Sequence, residues 1–496
     1  MTPLVRVLDA LAACVLALAI AASLARPLFY WDSWAYHLPF SALLLDIGGA
    51  RTHFVLSQEM QWRYEGFPLA AELIQGVLWK AAGTINATAL INSAAFGALC
   101  IVAARALRAS LAVLVFGALA VPLVAMHVVS AYIDLFVAAC IVFQALAAVK
   151  MEAAARRDDP RLLVWCCVYV ASAALAGNSK VTGLLLSGAI GAFTVGYIAI
   201  WSFPRRRESI SAPPDRWRWR PALLALALGA VLAGASAFRN VVEHGNPAYP
   251  LARTVAGYDL PGPEPDWPSA PPYTSALGPA ARPVNWLVSI TEIDWKLRGI
   301  EPRLTLDMHS EAETTDGLPA RTGGFWAPLV IASIALAVWL AARASRRDRT
   351  GFRERRFLLW LFVFVTIATA FMPQSHELRY WLHWPLMLAL VVAALARSAL
   401  GPRGLAALAA AYFVALLVTQ YRVDWTLKPW PVITQADAVA GQTGASSVDA
   451  VRAHAPVCLG PDFNPRQIAY SAIFQGGSYV VEQGWTKCER YPAYRP

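Results

Sequence analysis

Charged residues stand at the ends of several long apolar runs in this sequence, where they could act together. Asp32 and Asp134 supply carboxylates, and Lys180, Arg239 and Arg379 supply cations. A carboxylate beside an acceptor hydroxyl can remove its proton as a new bond forms. Lysine and arginine can offset the charge of a phosphate leaving group, arginine through a bidentate fork. The set therefore fits transfer of a group from an anionic phosphate donor.

Five more polar residues in the same or neighbouring segments are candidates for substrate binding: Tyr36, His37, Glu65, His376 and Glu377. The first two share with Asp32 an aromatic-rich stretch that reads Tyr-Trp-Asp-Ser-Trp-Ala-Tyr-His-Leu-Pro. A divalent cation could be held by Asp32 and Asp134 if the two carboxylates converge. No short metal-ligand spacing such as Asp-x-Asp is present, so the sequence leaves metal dependence open.

The elements that must position these residues are membrane-spanning helices. The chain has 496 residues, of which 57% are hydrophobic and 15% charged, and its mean hydropathy is +0.47. Its apolar runs are about 16–21 residues long, enough for an α-helix to cross the hydrocarbon core. This composition excludes a soluble globule, a disulfide scaffold and a disordered chain. The net charge of +10 is distributed among loops, so no nucleic-acid partner is expected.

We predict an all-α polytopic membrane protein with about eleven transmembrane helices, juxtamembrane helices on its outer face and a small α+β external C-terminal segment. Residues 1–420 form the transmembrane domain, with external loops 26–85 and 239–324, and residues 421–496 form the external segment. The predicted spans cover about 8–25, 86–104, 109–126, 130–149, 161–178, 181–201, 221–238, 325–343, 357–372, 380–397 and 403–420.

The orientation follows from the basic loops. Short Arg- and Lys-rich loops alternate with loops that carry almost no positive charge, and the basic ones are expected in the cytoplasm. This places the N-terminus in the cytoplasm and the C-terminus outside. The amphipathic stretch 67–83 lies flat on, or dips into, the outer face. All the candidate site residues then fall on the outer face, which argues for one outward-facing site.

Two of the seven cysteines lie in an aqueous segment on the predicted oxidising side. These are Cys458 and Cys488, and a disulfide between them is expected. Two unpaired thiols are the alternative. The remaining cysteines lie in predicted spans, where a thiol behaves as a small hydrophobic group.

At its candidate site residues the chain resembles the GT-C superfamily of polyprenyl-phosphate-sugar-dependent glycosyltransferases. The nearest group is that of the bacterial protein mannosyltransferases and the aminoarabinose-transferase-like proteins. The similarity covers the order of elements over about residues 1–400. Its points are the Asp32 loop after the first span, the Phe67-Pro68 amphipathic helix ending at Gly83, Asp134 opening a later span, the Ser179-Lys180-x-x-Gly183 hairpin, and Arg379-Tyr380 before an apolar, proline-containing span.

The resemblance implies an inverting glycosyltransferase of the bacterial inner membrane. Its partners would be a polyprenyl-phosphate-linked sugar donor, a lipid, glycan or protein acceptor at the outer face, and membrane lipids. It implies that Asp32 is the catalytic base and that Asp134 supports Asp32 or a metal ion. Lys180 and Arg379 would then bind the lipid phosphate.

Simpler roles stay open for each residue. Asp134 could be a favourable partner for the dipole of its own helix, and Lys180, Arg239 and Arg379 could anchor the protein to lipid headgroups. For the whole chain, the alternatives are a transporter or flippase of lipid-linked sugars and an enzymatically inactive scaffold for envelope assembly. A transporter is expected to show paired half-repeats and broken helices near the midplane, and the sequence shows no such symmetry.

Overall fold

The computed structural model describes residues 2–29, 32–53, 56, 58–202, 219–255, 258–264, 275–291, 325–344, 351–375, 377–422 and 426–434. Three sequence-based predictions fall outside these residues. They concern His376, the disulfide between Cys458 and Cys488, and most of the external segment 421–496.

Most of the described chain is helical. The α-helices are α1 (Pro3–Ala25), α2 (Leu38–Leu45), α3 (Ala50–His53), α4 (Gln58–Gly66), α5 (Ala70–Ala82), α6 (Leu90–Leu107), α7 (Leu111–Leu119), α8 (Pro122–Val128), α9 (Asp134–Arg157), α10 (Leu162–Gly177), α11 (Val181–Tyr197), α12 (Arg220–Ala233), α13 (Ala235–His244), α14 (Ala281–Thr291), α15 (Ala327–Ala344), α16 (Phe352–Phe371), α17 (His383–Ala399) and α18 (Pro402–Arg422). Short 3₁₀ or π turns cover Ser33–His37, Ile47–Gly49, Ile85–Ala89, Ile198–Ser202, Ser275–Ala280 and Leu378–Trp381. The strands β1 (Arg253–Val255) and β2 (Tyr258–Leu260) form an antiparallel hairpin.

Seven helices of the described chain are long and apolar enough to cross a membrane, or up to nine if each of two bent pairs forms one span. This confirms an all-α polytopic architecture with the helices of a multi-pass membrane protein. A helix is present at each of the eleven predicted positions. The number eleven stays a prediction, because α10 has only 16 residues and α16 begins with a charged turn.

The predicted span over 109–126 is broken into two helices, so whether this segment crosses the membrane stays a prediction. The axes of α7 and α8 differ by 99°, and the break lies at Ala120 and Val121. The physical reason is Pro122, which has no backbone N–H to donate to the preceding turn but is well suited to begin a new helix. The predicted span 221–238 is also bent, by 43°, where α12 meets α13 at Gly234.

The helices α9 and α17 form the centre of the bundle. In each of these two helices, 89% of the most apolar stretch of 18 residues is buried within the protein, whereas the corresponding fraction is 33% in α1 and α15. α9 packs against α6, α10, α16 and α17. Its sequence is rich in alanine, and such small side chains let neighbouring helices approach closely. Residues at the start of these two helices are therefore held by the most buried part of the fold.

A backbone bridge connects the segment after α1 with the segment before α9. The Leu28 N–H donates to the Val129 carbonyl (2.9 Å), and the Leu28 carbonyl accepts from the Ala131 N–H (3.0 Å). The buried Gln75 side chain of α5 donates to the Ala131 carbonyl (2.7 Å). Asp32 lies four residues beyond Leu28 and Asp134 three residues beyond Ala131, so this bridge brings the two carboxylates into one region.

A buried asparagine on α6 fixes the same segment from the other side. The Asn92 amide donates to the carbonyl groups of Ser130 (2.9 Å) and Tyr132. Its carbonyl oxygen accepts from the Phe136 N–H in the first turn of α9 (2.8 Å). One side chain thus satisfies backbone groups before and after the start of the helix, as buried backbone groups require.

Asn178 fixes the turn that carries Lys180. Its side-chain nitrogen donates to the carbonyls of Ala174 (2.8 Å) and Leu232 (2.6 Å), and its side-chain oxygen accepts from the Ser236 N–H (2.9 Å) and hydroxyl (2.7 Å). Its backbone carbonyl accepts from the Ala70 N–H at the start of α5 (2.8 Å). The turn between α10 and α11 is thereby tied to the α12–α13 bend and to α5.

Close approach also explains the two glycines of this hairpin. A Cβ on Gly183 would clash with the Ala176 carbonyl oxygen, and a Cβ on Gly177 would clash with the Ala233 carbonyl oxygen. Both positions therefore need a residue without a side chain.

Asn178→Ala should lower the free energy of unfolding by about 1–3 kcal/mol, because it leaves the Leu232 carbonyl and the Ser236 N–H without their partner. Unfolding of the purified protein in detergent measures the loss. The matched control is Asn285→Ala, since the buried Asn285 amide nitrogen has no hydrogen-bond partner among the described residues. Equal losses in the two variants would show that Asn178 does not hold the turn.

Candidate active site

Two ion pairs meet where the central helices begin. Asp32 Oδ2 lies 2.8 Å from an Arg379 guanidinium nitrogen, and Asp134 Oδ1 pairs with Lys180 Nζ. Asp134 is the first residue of α9, Lys180 precedes α11, and Arg379 lies in the 3₁₀ turn before α17. The structure therefore brings four of the predicted site residues into two pairs at one end of the bundle.

The two ion pairs differ in exposure. The Asp134 side chain is 3% exposed and its partner Lys180 is 20% exposed. Asp32 is 22% exposed and Arg379 is 17% exposed. Breaking a buried pair by removing one partner leaves an uncompensated charge, which is more costly the deeper the charge lies. The pair of Asp32 with Arg379 is therefore the one more readily opened by an incoming ligand.

Two tyrosines connect the pairs. Lys180 Nζ lies 3.9 Å from the centre of the Tyr380 ring, and the Arg379 guanidinium lies 4.9 Å from the same ring. Arg379 also donates to the Tyr380 hydroxyl (3.1 Å) and lies 5.4 Å from the Tyr132 ring. The Tyr132 hydroxyl accepts from the Asp32 N–H (3.3 Å). Both cations thus rest on aromatic faces, which attract positive charge.

Tyr36 lies beside these pairs, as predicted for a residue of the Asp32 segment. Burial raises the pKa of Tyr36 well above its usual value, and the negative charge of Asp32 raises it further. The phenol therefore stays protonated and can donate a hydrogen bond. Its ring contacts the rings of His37 (4.3 Å) and Phe67 (6.1 Å).

His37 follows Tyr36 in the chain, and its side chain bonds to the carboxylate of Glu72 on α5. Its Nδ1 lies 2.7 Å from Glu72 Oε1, and both side chains are 2% exposed. The bond joins the helical segment after Asp32 to α5. Sequence reasoning missed Glu72, although Glu72 and Gln75 lie three residues apart on the face of α5 that also buries Ala71.

The other candidates lie outside the two ion pairs. Arg239 donates to Asn240 Oδ1 (2.9 Å) and to the Phe67 carbonyl (3.4 Å), because the bend between α12 and α13 at Gly234 carries Arg239 toward the end of α4. Glu65 lies on α4 and accepts from Gln61 (2.7 Å). Glu377 precedes the 3₁₀ turn, and its carbonyl accepts from the Tyr380 N–H (3.0 Å). Their predicted roles in substrate binding stay predictions.

Two hydroxyl groups beside Lys180 were missed by the sequence reasoning. Ser179 Oγ and Thr182 Oγ1 are buried and have no hydrogen-bond partner among the described residues. His127 Nε2 also has no hydrogen-bond partner among the described residues, and the charges of Asp134, Lys180 and Arg379 lie near its ring. The other ring nitrogen, Nδ1, bonds to the Leu123 carbonyl (2.8 Å). Buried polar groups normally have partners, so these three atoms are exceptions within the described chain.

The described residues offer few side-chain ligands for a divalent cation at this site. The described residues contain no group of three or more His, Cys, Asp or Glu side chains that could hold a metal ion. Asp32 and Asp134 each face a basic side chain instead of each other. A shared cation between the two carboxylates, which the sequence left open, therefore has no suitable donor set in the described chain.

Comparison with known proteins adds no family to this description. No protein-family model, no curated protein and no solved structure matches the chain. What the site does must therefore be argued from its own residues.

Coupling between Asp134 and Lys180 can be measured with a double-mutant cycle of Asp134→Asn and Lys180→Met. Lys180→Met alone should be the most destabilising variant, because it leaves the Asp134 carboxylate buried without its cation. The interaction energy should fall at about 0.5–3 kcal/mol, measured by unfolding in detergent.

The control is the same cycle on Asp159 and Arg161 in the loop between α9 and α10, where the Arg161 side chain is 75% exposed. That cycle should give a smaller coupling energy, below about 1 kcal/mol, because solvent screens the Arg161 charge. Additive effects of Asp134→Asn and Lys180→Met would contradict the pairing.

Proposed function

We propose that this protein is an inverting glycosyltransferase of the bacterial inner membrane. It takes a sugar from a polyprenyl-phosphate carrier and transfers it to a lipid, glycan or protein acceptor at the outer face. The observation that carries the proposal is the meeting of two carboxylates, two cations and three tyrosines at one end of the central helices. That set contains both a base for an acceptor and a binding site for a phosphate.

Binding of the donor would begin with an exchange of ion-pair partners. Arg379 presents a guanidinium fork that can bind two phosphate oxygens, and its present partner is the more exposed carboxylate of the site. A phosphate on Arg379 releases Asp32. Lys180 keeps its buried partner Asp134 and reaches the phosphate from the other side.

The released Asp32 then has the role of general base. It accepts the proton of the acceptor hydroxyl as the acceptor oxygen bonds to the anomeric carbon of the sugar. The bond from that carbon to the phosphate oxygen breaks, and polyprenyl phosphate leaves with the electron pair. Attack from the side opposite the phosphate inverts the anomeric configuration. Arg379 and Lys180 stabilise the charge that develops on the leaving phosphate.

A transporter or flippase of lipid-linked sugars is the second candidate. The break of 99° between α7 and α8 favours it, since transporters hold substrates at interrupted helices. The positions of the charged residues favour the transferase. Asp134 is the first residue of α9 and Arg379 lies just before α17, so neither is in the middle of a helix. The two functions differ in whether the bond between sugar and phosphate breaks.

Asp32→Asn should reduce turnover by about 10²–10⁴-fold, because the amide keeps the size of the carboxylate but cannot accept a proton. Donor affinity should be retained, since the Asp32 carboxylate no longer competes with the donor phosphate for Arg379. Single-turnover transfer and donor binding are measured separately on the purified protein in lipid. The control Asp159→Asn removes a carboxylate of the α9–α10 loop, outside the candidate site, and should leave both unchanged. Wild-type turnover of Asp32→Asn would contradict the proposed base.

A further inference from the structure

Two polar side chains lie on the buried face of α5. Glu72 and Gln75 stand three residues apart and are both buried, whereas Leu73 and Val77 on the other face are exposed. A polar side chain is costly to bury unless it has a hydrogen-bond partner. The residues of the two ion pairs lie on other elements, so any effect of α5 on them must pass through these partners.

Glu72 holds the segment that carries Asp32. Its Oε1 lies 2.7 Å from Nδ1 of His37, which stands five residues after Asp32. The π-helical turn between them begins directly after Asp32 and leads into α2. α2 also lies directly against α5, because a Cβ on Gly76 would stand 2.8 Å from the Ser41 carbonyl oxygen. A buried bond and a close backbone contact therefore restrict movement of this segment relative to α5.

Gln75 and the first residue of α5 hold two further segments of the site. The Gln75 amide donates to the Ala131 carbonyl (2.7 Å), three residues before Asp134. The Ala70 N–H donates to the Asn178 carbonyl (2.8 Å) in the turn before α11, which carries the cation of the buried ion pair. α5 is therefore bonded to three of the four segments that supply the two ion pairs.

The proposed exchange of ion-pair partners makes the hold by α5 important. In the structure Asp32 is also fixed by its ion pair with Arg379 (2.8 Å). When a donor phosphate binds Arg379, that contact is lost, and the bond of His37 to Glu72 is a buried contact that remains. Efficient transfer requires a base to stay within about 0.5 Å of its productive position. Gln75 stands about 4.5 Å further along the same rigid helix, so the segment that it holds keeps its place relative to Asp32.

We propose that Glu72 and Gln75 are positioning residues of the transfer reaction, Glu72 for the base Asp32 and Gln75 for Asp134. Both side chains are buried, so they act through the segments that they hold and not by contact with the substrate. Their effect on the rate rests on the proposed transferase function, whereas the hold of α5 on the two segments is measurable without a donor.

Hydrogen exchange of backbone amides, followed by mass spectrometry on the purified protein in lipid nanodiscs without donor, measures the hold. Glu72→Ala should speed exchange over residues 33–41 by at least about tenfold and leave residues 129–136 unchanged, because it removes a buried bond of the first segment only. Gln75→Ala should do the reverse, so each variant is the control for the other. Equal acceleration of both segments in both variants would indicate general loosening of the fold and overturn the assignment. Wild-type exchange in both variants would overturn it as well.

Transfer kinetics measure the consequence for the reaction. At saturating donor, Glu72→Ala should lower the single-turnover rate by about 10–100-fold and leave donor affinity within about twofold, because the base is displaced and the phosphate-binding cations are not. Glu72→Gln keeps the side-chain length and an amide that can bond to His37 Nδ1, so it should restore most of the rate. In protein that already carries Asp32→Asn, Glu72→Ala should cost less than about a further twofold. The control Leu73→Ala, on the exposed face of α5, should leave rate and affinity unchanged.

Three kinetic outcomes would overturn the assignment while the transferase function stands: a wild-type rate for Glu72→Ala, equal losses in Glu72→Gln and Glu72→Ala, or an undiminished loss in the Asp32→Asn background. The second would show that the charge of Glu72 matters and not its bond, and the third that Glu72 does not act through Asp32. If the wild-type protein releases no polyprenyl phosphate, the transferase function is wrong, and the exchange measurement alone decides whether α5 holds the two segments. Gel filtration and circular dichroism confirm that each variant is folded.

Discussion

The salt bridge between Asp32 and Arg379 is the interaction on which the rest of the site depends. It joins the segment after α1 to the turn before α17, two parts of the chain separated by more than three hundred residues. A charge at the boundary of an apolar bundle is stable only with a partner or in a polar cavity. The Leu28 bridge and the Asn92 amide hold the carboxylate side of this arrangement, and the start of the buried helix α17 holds the arginine side.

The charged residues form ion pairs of different composition at the two ends of the bundle. At the site, each cation already has a carboxylate, so an incoming anion must replace one of them, and the more exposed Asp32 is the one that can leave. At the opposite end, Glu354 of α16 is shared by two basic residues of α9, Lys150 and Arg157. We therefore assign the proposed exchange of an anionic group to the first end, where Asp32 is the more exposed carboxylate.

The gathering of Asp32, Asp134, Lys180 and Arg379 at one end was predictable, because alternating span direction and loop charge place all four on one side. Their pairing was not predictable, since hydropathy carries no information on which helices are in contact. The sequence left open whether Asp32 and Asp134 share a metal ion, and in the structure each carboxylate pairs with a basic side chain. The α7–α8 break had a visible signal in Pro122 within an apolar run. Glu72 was missed because α5, taken as a membrane-surface helix, buries its polar residues against the protein.

The fate of the bond between sugar and phosphate tests the account most directly. The purified protein is placed in lipid vesicles with a polyprenyl-phosphate sugar labelled on the sugar, with and without an acceptor extract. Transfer predicts that label appears on the acceptor in a one-to-one ratio with released polyprenyl phosphate, and only when acceptor is present. Label that crosses the bilayer with the glycosyl–phosphate bond intact would contradict a transferase and identify a flippase.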